Sequence, residues 1–163
     1  EEAGDNILAV IRGSALNHNG LSNGITAPSA AAQEEVIRRA LKSAGMDPQD
    51  ISHVEAMGVG TALGDPIEFA TLTAVYGERD DSDARCWVSS VKANIGHLEA
   101  AAGVASVIKA ILCLQHGSIP PQLSVEHLNP RIEFDSSRVA LPQANQPWAG
   151  PGRTAAGSSC SLA

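Results

Sequence analysis

Lys92, Asn94 and His97 fall close together in the stretch from Ser89 to Gly103, SSVKANIGHLEAAAG. A cation, a carboxamide and an imidazole at this spacing can bind an anion, donate to a developing oxyanion and move a proton. The flanking pattern supplies a setting for that chemistry. A β-type segment, Cys86 to Ser90, leads into a polar turn with Asn94 and Gly96, and a small-residue helix opens near His97. A turn between a strand end and a helix N-terminus sets side chains in a cleft and aims backbone N–H groups at whatever lies there.

A second stretch has the same logic. Met57 to Pro66, MGVGTALGDP, is a glycine-rich loop that follows a second strand, His53 to Ala56. Open α/β sheets place ligands at the C-terminal ends of their strands. Thr61 and Asp65 read here as residues that shape and cap the next helix, with Pro66 in its first turn.

The elements that must position these loops follow in order along the chain. Ile7 to Ile11 is a continuous apolar run and reads as a buried strand, and Asn17 to Pro28 as an irregular loop lining a site, an interface or plain surface. Ser29 to Ala44 has a helical stripe, with Ser29 as N-cap and Gly45 beyond its C-terminus. Strands are expected at His53 to Ala56, Cys86 to Ser90, Arg138 to Leu141 and Arg153 to Ser159, with a helix over Ile67 to Tyr76. The helix from Leu98 to Gln115 is nearly apolar all round and belongs in the middle of a larger body. Ser118 to Pro130 is proline-rich and extended.

Composition excludes several classes. The 163 residues are read as one domain, 1–163, able to remove roughly two-thirds of its unfolded surface from water. The formal net charge of -7 leaves no basic footprint for nucleic acid. No apolar run is long enough to span a membrane. Cys86, Cys113 and Cys160 are an odd set with no metal-binding spacing, so reduced thiols, a cytoplasmic location and no bound metal are expected. His18, His53, His116 and His127 lack partner spacing and read as ordinary polar residues.

Five stretches carry a family resemblance: IRGSALNHNGLSNGITAPS, VEAMGVGTALGDPIE, VKANIGHLEAAAGVASVIKAIL, HGSIPPQL and NPxIEF. In this order they resemble the C-terminal half of a β-ketoacyl synthase (ketosynthase) domain of a modular polyketide synthase. The resemblance implies an α/β fold, half of a thiolase-like fold, with a mixed sheet, helices and one central apolar helix. In that family a Cys takes the acyl chain as a thioester. Two histidines then assist decarboxylation of a malonyl unit on acyl carrier protein and stabilise the enolate, a donor device fixed before the charge appears.

Carried over by position, His97 matches the second catalytic histidine and Lys92 the supporting lysine, although a structural ion pair with Glu99 is an equal reading of Lys92. Met57 stands at the position of the first histidine, and its thioether cannot donate to an enolate oxygen. Val59 replaces a threonine that would bind the phosphopantetheine arm. Thr61 is kept, and with Gly60 and Asn94 completes the implied substrate-binding set. Cys160 lies in the terminal region that the family sets near the cleft, and is either a relocated nucleophile facing His97 or a buried inert thiol.

The nucleophile-bearing half is not among these residues, and losing one transition-state donor costs about 10²- to 10³-fold in rate. The resemblance therefore implies a truncated, condensation-incompetent ketosynthase domain, acting as a structural or carrier-interacting module in polyketide biosynthesis. Two alternatives stand beside it: a repurposed enzyme with His97 as acid/base, and one half of a split ketosynthase. No bound cofactor is expected, only the phosphopantetheine arm of acyl carrier protein as substrate carrier. The central helix requires a cover: the missing half, adjacent synthase domains, or a second copy in a homodimer.

Overall fold

The computed structural model describes residues 3–20, 28–78, 84–123, 125–133, 137–148 and 152–158. Its centre is β1 (His53–Glu55), every residue of which is buried. β2 (Cys86–Ser89) and β6 (Ala155–Gly157) flank β1, and β4 (Val139–Ala140) lies outside β2. All three pairings are parallel, with His53 opposite both Trp87 and Ala155. A parallel sheet is covered on both faces, which is why β1 and β2 tolerate so little exposed polarity.

Side-chain alternation divides the two faces. Val54 and Val88 point toward α2 (Gly64–Tyr76), where Phe69, Leu72, Val75 and Tyr76 build the main core with Leu41 of α1 (Ala30–Ala44). The opposite face carries α4 (Ala102–His116), which packs on β1 and β6. Cys113 of α4 joins Ile119 and Trp148 in a smaller cluster there. Ile119 belongs to β3 (Ser118–Ile119), which pairs antiparallel with β5 (Gln146–Pro147).

Local chemistry accounts for the ends of α1. Ser29 Oγ accepts the Ala32 N–H at 3.3 Å, and Gly45, at φ +63°, ends the helix in the left-handed conformation that glycine adopts without strain. α2 begins differently from the expectation. Its start at Gly64 makes Leu63 the N-cap, and Asp65 lies within the first turn and does not cap it. Thr61 meets two first-turn donors, its Oγ1 accepting the Gly64 N–H and its carbonyl the Asp65 N–H at 3.3 Å, while Asp65 Oδ1 reaches back to the Gly60 N–H of the preceding loop.

Two further expectations need correction. Ile7 to Ile11 forms no strand, and Ile7, Leu8, Val10 and Ile11 are 50–81% exposed. The segment passes along α1 instead: Asn17 Nδ2 donates to the Ala32 carbonyl at 2.7 Å, and a Cβ on Gly13 would fall 2.6 Å from the Ala44 nitrogen. An apolar run becomes a strand only where neighbours take its backbone groups and cover both its faces, and no ladder among the described residues does either. The helix expected from Leu98 starts at Ala102, after a single 3₁₀ turn, Glu99–Ala101. One side of it is open, with Val104, Val107, Ile108 and Leu112 all 46–63% exposed.

Candidate functional site

The glycine-rich loop leaves β1 under the control of one buried acid. Glu68 of α2 accepts the Met57 N–H on Oε1 at 2.7 Å and the Gly58 N–H on Oε2 at 2.8 Å. Burial pushes the Glu68 carboxyl above the usual carboxylate range, and these two N–H groups oppose the shift. Gly58, at φ +48°, also sits where a Cβ would fall 2.8 Å from the Ser90 Cβ, so the loop closes on the end of β2. Ser90 Oγ donates to the Met57 carbonyl at 3.5 Å and ties the two strand ends together.

The second loop grows from β2 through a one-turn helix, α3 (Lys92–Ile95). Gly96, at φ +75°, then turns the chain so that His97 is exposed above it. Nδ1 of His97 accepts the Glu99 N–H at 2.9 Å. The neutral ring therefore carries its proton on Nε2, and that edge is left to donate. Lys92 and Glu99 form no ion pair, because the chain reverses between them at Gly96 and at Glu99 itself, whose φ is +51°.

Gly60, Thr61, Lys92 and His97 line one cleft of about 990 Å³. Its far wall comes from the proline-rich segment, with His127 and Arg131, and Gln122 anchors that wall by accepting the Ser90 N–H at 2.8 Å. His127 thus lies in the cleft, although no sequence spacing pointed to it. Met57 and Asn94 are not on the cleft wall: Met57 is half-buried behind the loop, and Asn94 is exposed on α3. Cys160 lies outside the described residues. Cys86 and Cys113 are buried free thiols, and burial lifts Cys86 to about 12, which leaves both inert as nucleophiles at neutral pH.

Beneath the cleft is a polar cluster that spacing did not reveal. Glu55 is fully buried on the α4 face of β1, and Lys109 Nζ donates to its Oε2 at 2.6 Å and to Ser89 Oγ at 2.8 Å. Ser89 Oγ lies 3.0 Å from Nε2 of buried His53, whose ring meets Trp148 edge to face. Burial, with Lys109 nearby, lowers His53 to about 3, so the ring is neutral. The other oxygen of Glu55 accepts the Val91 N–H at the root of α3. A signal for this cluster did exist. Glu55 is the acid inside an apolar strand and Lys109 the cation inside an apolar helix, and charges so placed need each other.

Comparison with known proteins follows the same outline. Residues 8–126 match the model of the β-ketoacyl synthase, C-terminal domain. The chain is 52% identical over 145 residues to erythronolide synthase EryA2 of Saccharopolyspora erythraea, covering 89% of this chain and 4% of that protein. It is 51% identical over 158 residues to a phenolphthiocerol/phthiocerol polyketide synthase of Mycobacterium tuberculosis (strain CDC 1551 / Oshkosh), covering 95% of this chain and 10% of that one. Among solved structures, the ketosynthase domain OzmH KS7 of the Streptomyces albus JA3453 oxazolomycin system superposes with a TM-score of 0.91 at 41% identity. That match covers 99% of this chain and 29% of the other. The ketosynthase from module 6 of the bacillaene synthase of Bacillus subtilis 168 gives a TM-score of 0.90 at 40% identity, with the same coverage. These residues thus span a small part of the synthases they match and under a third of each ketosynthase chain. No helix among the described residues is long and apolar enough to cross a membrane.

Proposed function

The chain belongs to the β-ketoacyl synthase C-terminal domain family, and from that premise we propose that it serves polyketide biosynthesis as a ketosynthase module that receives carrier-bound chains without condensing them. One observation carries this reading. The loop that begins at Met57 keeps its hydrogen bonds to Glu68 and its tie to Ser90, yet the residue matching the first catalytic histidine is a methionine, half-buried behind the loop, whose thioether cannot donate to an enolate oxygen. The framework of the site is intact and one donor is gone.

The carrier's phosphopantetheine arm fits the cleft by chemistry. Thr61 Oγ1 accepts the Gly64 N–H and keeps its own proton to donate to an amide carbonyl of the arm. Lys92 and Arg131 give the wall a cationic character suited to a phosphate, His97 adds its Nε2–H as a donor, and Val59 offers no hydroxyl. The arm is a substrate carrier in this reading, and no resident cofactor is invoked.

The apolar row Val104, Val107, Ile108 and Leu112 on α4 supports a body seated on this face. The favoured occupant is the remainder of a ketosynthase fold, on the same polypeptide or another, and a second copy of the chain is the competing occupant.

The test is intact-mass analysis of malonyl-loaded and acyl-loaded acyl carrier protein incubated with this chain and the nucleophile-bearing half. Unchanged malonyl carrier, with decarboxylation gained on Met57→His, is the expected result. Condensed product from the unmodified protein overturns the reading. A second reading, an enzyme that uses His97 as acid/base, is favoured by the exposed Nε2–H of that residue. It requires turnover of a carrier-bound chain that is lost in His97→Ala.

A further inference from the structure

We propose that Lys109 is a positioning residue for the turn that carries Lys92 and His97, acting through Glu55. The two oxygens of Glu55 are divided between two tasks. Oε2 accepts from Lys109 Nζ at 2.6 Å, and Oε1 accepts from the Val91 N–H, the residue that precedes α3. A carboxylate engaged at both oxygens cannot rotate, so the cation on α4 fixes the acceptor on which the turn hangs. Ser89, the last residue of β2, is drawn in by the same ammonium at 2.8 Å.

The environment makes this dependence strong. Glu55 has no solvent exposure and the Lys109 side chain only 13%. A buried carboxylate deprived of its cation takes up a proton or draws in water, and either change weakens an N–H bond that ionisation had strengthened. The other groups facing Glu55 do not substitute. Ser89 is neutral, His53 on the same strand is neutral, and Lys92 acts only from the turn that is to be held. Nor is Lys109 placed to touch a substrate. It is absent from the cleft wall and lies across the sheet from α2.

The importance of the turn for chemistry rests on the functional reading above, whereas the positioning is a property of the free fold. The test uses the full 163-residue chain and amide hydrogen exchange followed by NMR. Asn94, Ile95 and Gly96, which donate to carbonyls of the turn, are compared with Val54 and Val88 in the sheet. Lys109→Met is expected to speed exchange in the turn about tenfold beyond any change in the sheet, the size set by one charge-assisted hydrogen bond. Adding Glu55→Gln, whose neutral amide oxygen can accept from Val91 unaided, is expected to restore the turn to within about threefold of wild type.

Equal losses in turn and sheet, no loss, or a double variant no better than the single one each overturn the proposal, because a purely structural ion pair predicts them. Should Lys109→Met alone fail to fold, the comparison is between Glu55→Gln with and without Lys109→Met. Matching turn protection supports the proposal, and a further loss overturns it. Acyl-carrier assays of either sign leave this readout unmoved, so failure here is distinguishable from failure of the functional reading.

Discussion

Glu68 holds Met57 by its backbone: the carboxylate of the one accepts the N–H of the other at 2.7 Å, and the same carboxylate accepts the Gly58 N–H at 2.8 Å. The side chain at position 57 is therefore free to change while the loop stays in place. Met57→Leu should cost less than about 1.5 kcal/mol, as volume-conserving apolar exchanges do. Glu68→Gln should cost about 1–3 kcal/mol, because an amide sets an N–H group against a backbone donor. Urea unfolding of the two variants gives the comparison, and equal costs would refute the assignment of the loop's shape to Glu68.

Gly58 and Gly45 separate two reasons for a glycine. Both have positive φ, but a Cβ at Gly45 meets open space whereas one at Gly58 would lie 2.8 Å from Ser90 Cβ. Gly45→Ala should cost about 1 kcal/mol, the left-handed penalty alone. Gly58→Ala should exceed it by about 1 kcal/mol or more through the added overlap. Thermal midpoints of the two variants, measured together, decide this.

Burial of neutral His53 predicts an acid limb of instability. Its folded pKa of about 3 lies below the ordinary 6.5, so the unfolded chain binds the proton more tightly. The stability this confers is present above about pH 6.5 and is lost as the pH falls toward 3, at up to ~1.4 kcal/mol per pH unit. Glu55 and Glu68, raised by burial, act with the opposite sign: they favour the fold in acid and cost stability as the pH climbs through their folded values. The measurement is thus the difference between wild type and His53→Gln in urea midpoint at pH 7 and pH 4.5. The advantage of wild type should shrink by about 2 kcal/mol at the lower pH. An unchanged difference would show that His53 is charged in the fold or shielded from the change.

The exposed row on α4 predicts association. At micromolar concentration the chain should scatter light as a species larger than one copy unless its cover is present. Ile108→Lys should lower that mass while changing stability by no more than about 0.5 kcal/mol, since Ile108 is 53% exposed. A monodisperse single copy without the substitution would remove the argument for a missing cover.

Much of this was legible in the residues. Ser29 and Gly45 announced both ends of α1, and the β-type segments at His53 and Cys86 announced the paired central strands. The motifs around Met57 and His97 located the two loops that line the cleft. What escaped the sequence was whatever depended on a neighbour. Ile7 to Ile11 has the composition of a strand but finds no ladder among the described residues, and composition cannot report a missing partner. Glu55 and Lys109 lie far apart in the chain, and only the packing of α4 on β1 brings them together. His53 read as ordinary because burial is a tertiary property, and Asp65 read as a cap because helix starts are decided by a single residue's conformation.

The pairing of β6 with β1 also has a kinetic side. Ser52 Oγ donates to the Thr154 carbonyl across 102 residues of sequence, so the sheet acquires its last strand only after almost the whole stretch has been synthesised. Parallel pairings at such separation close slowly, because the entropy of a long loop is lost before any contact rewards it. During that interval the flank of β1 opposite β2 waits without its neighbour. Early in its life the nascent chain therefore offers an unfilled strand edge, and at that stage a chaperone or a neighbouring copy competes with residues 155–157 for the same hydrogen bonds.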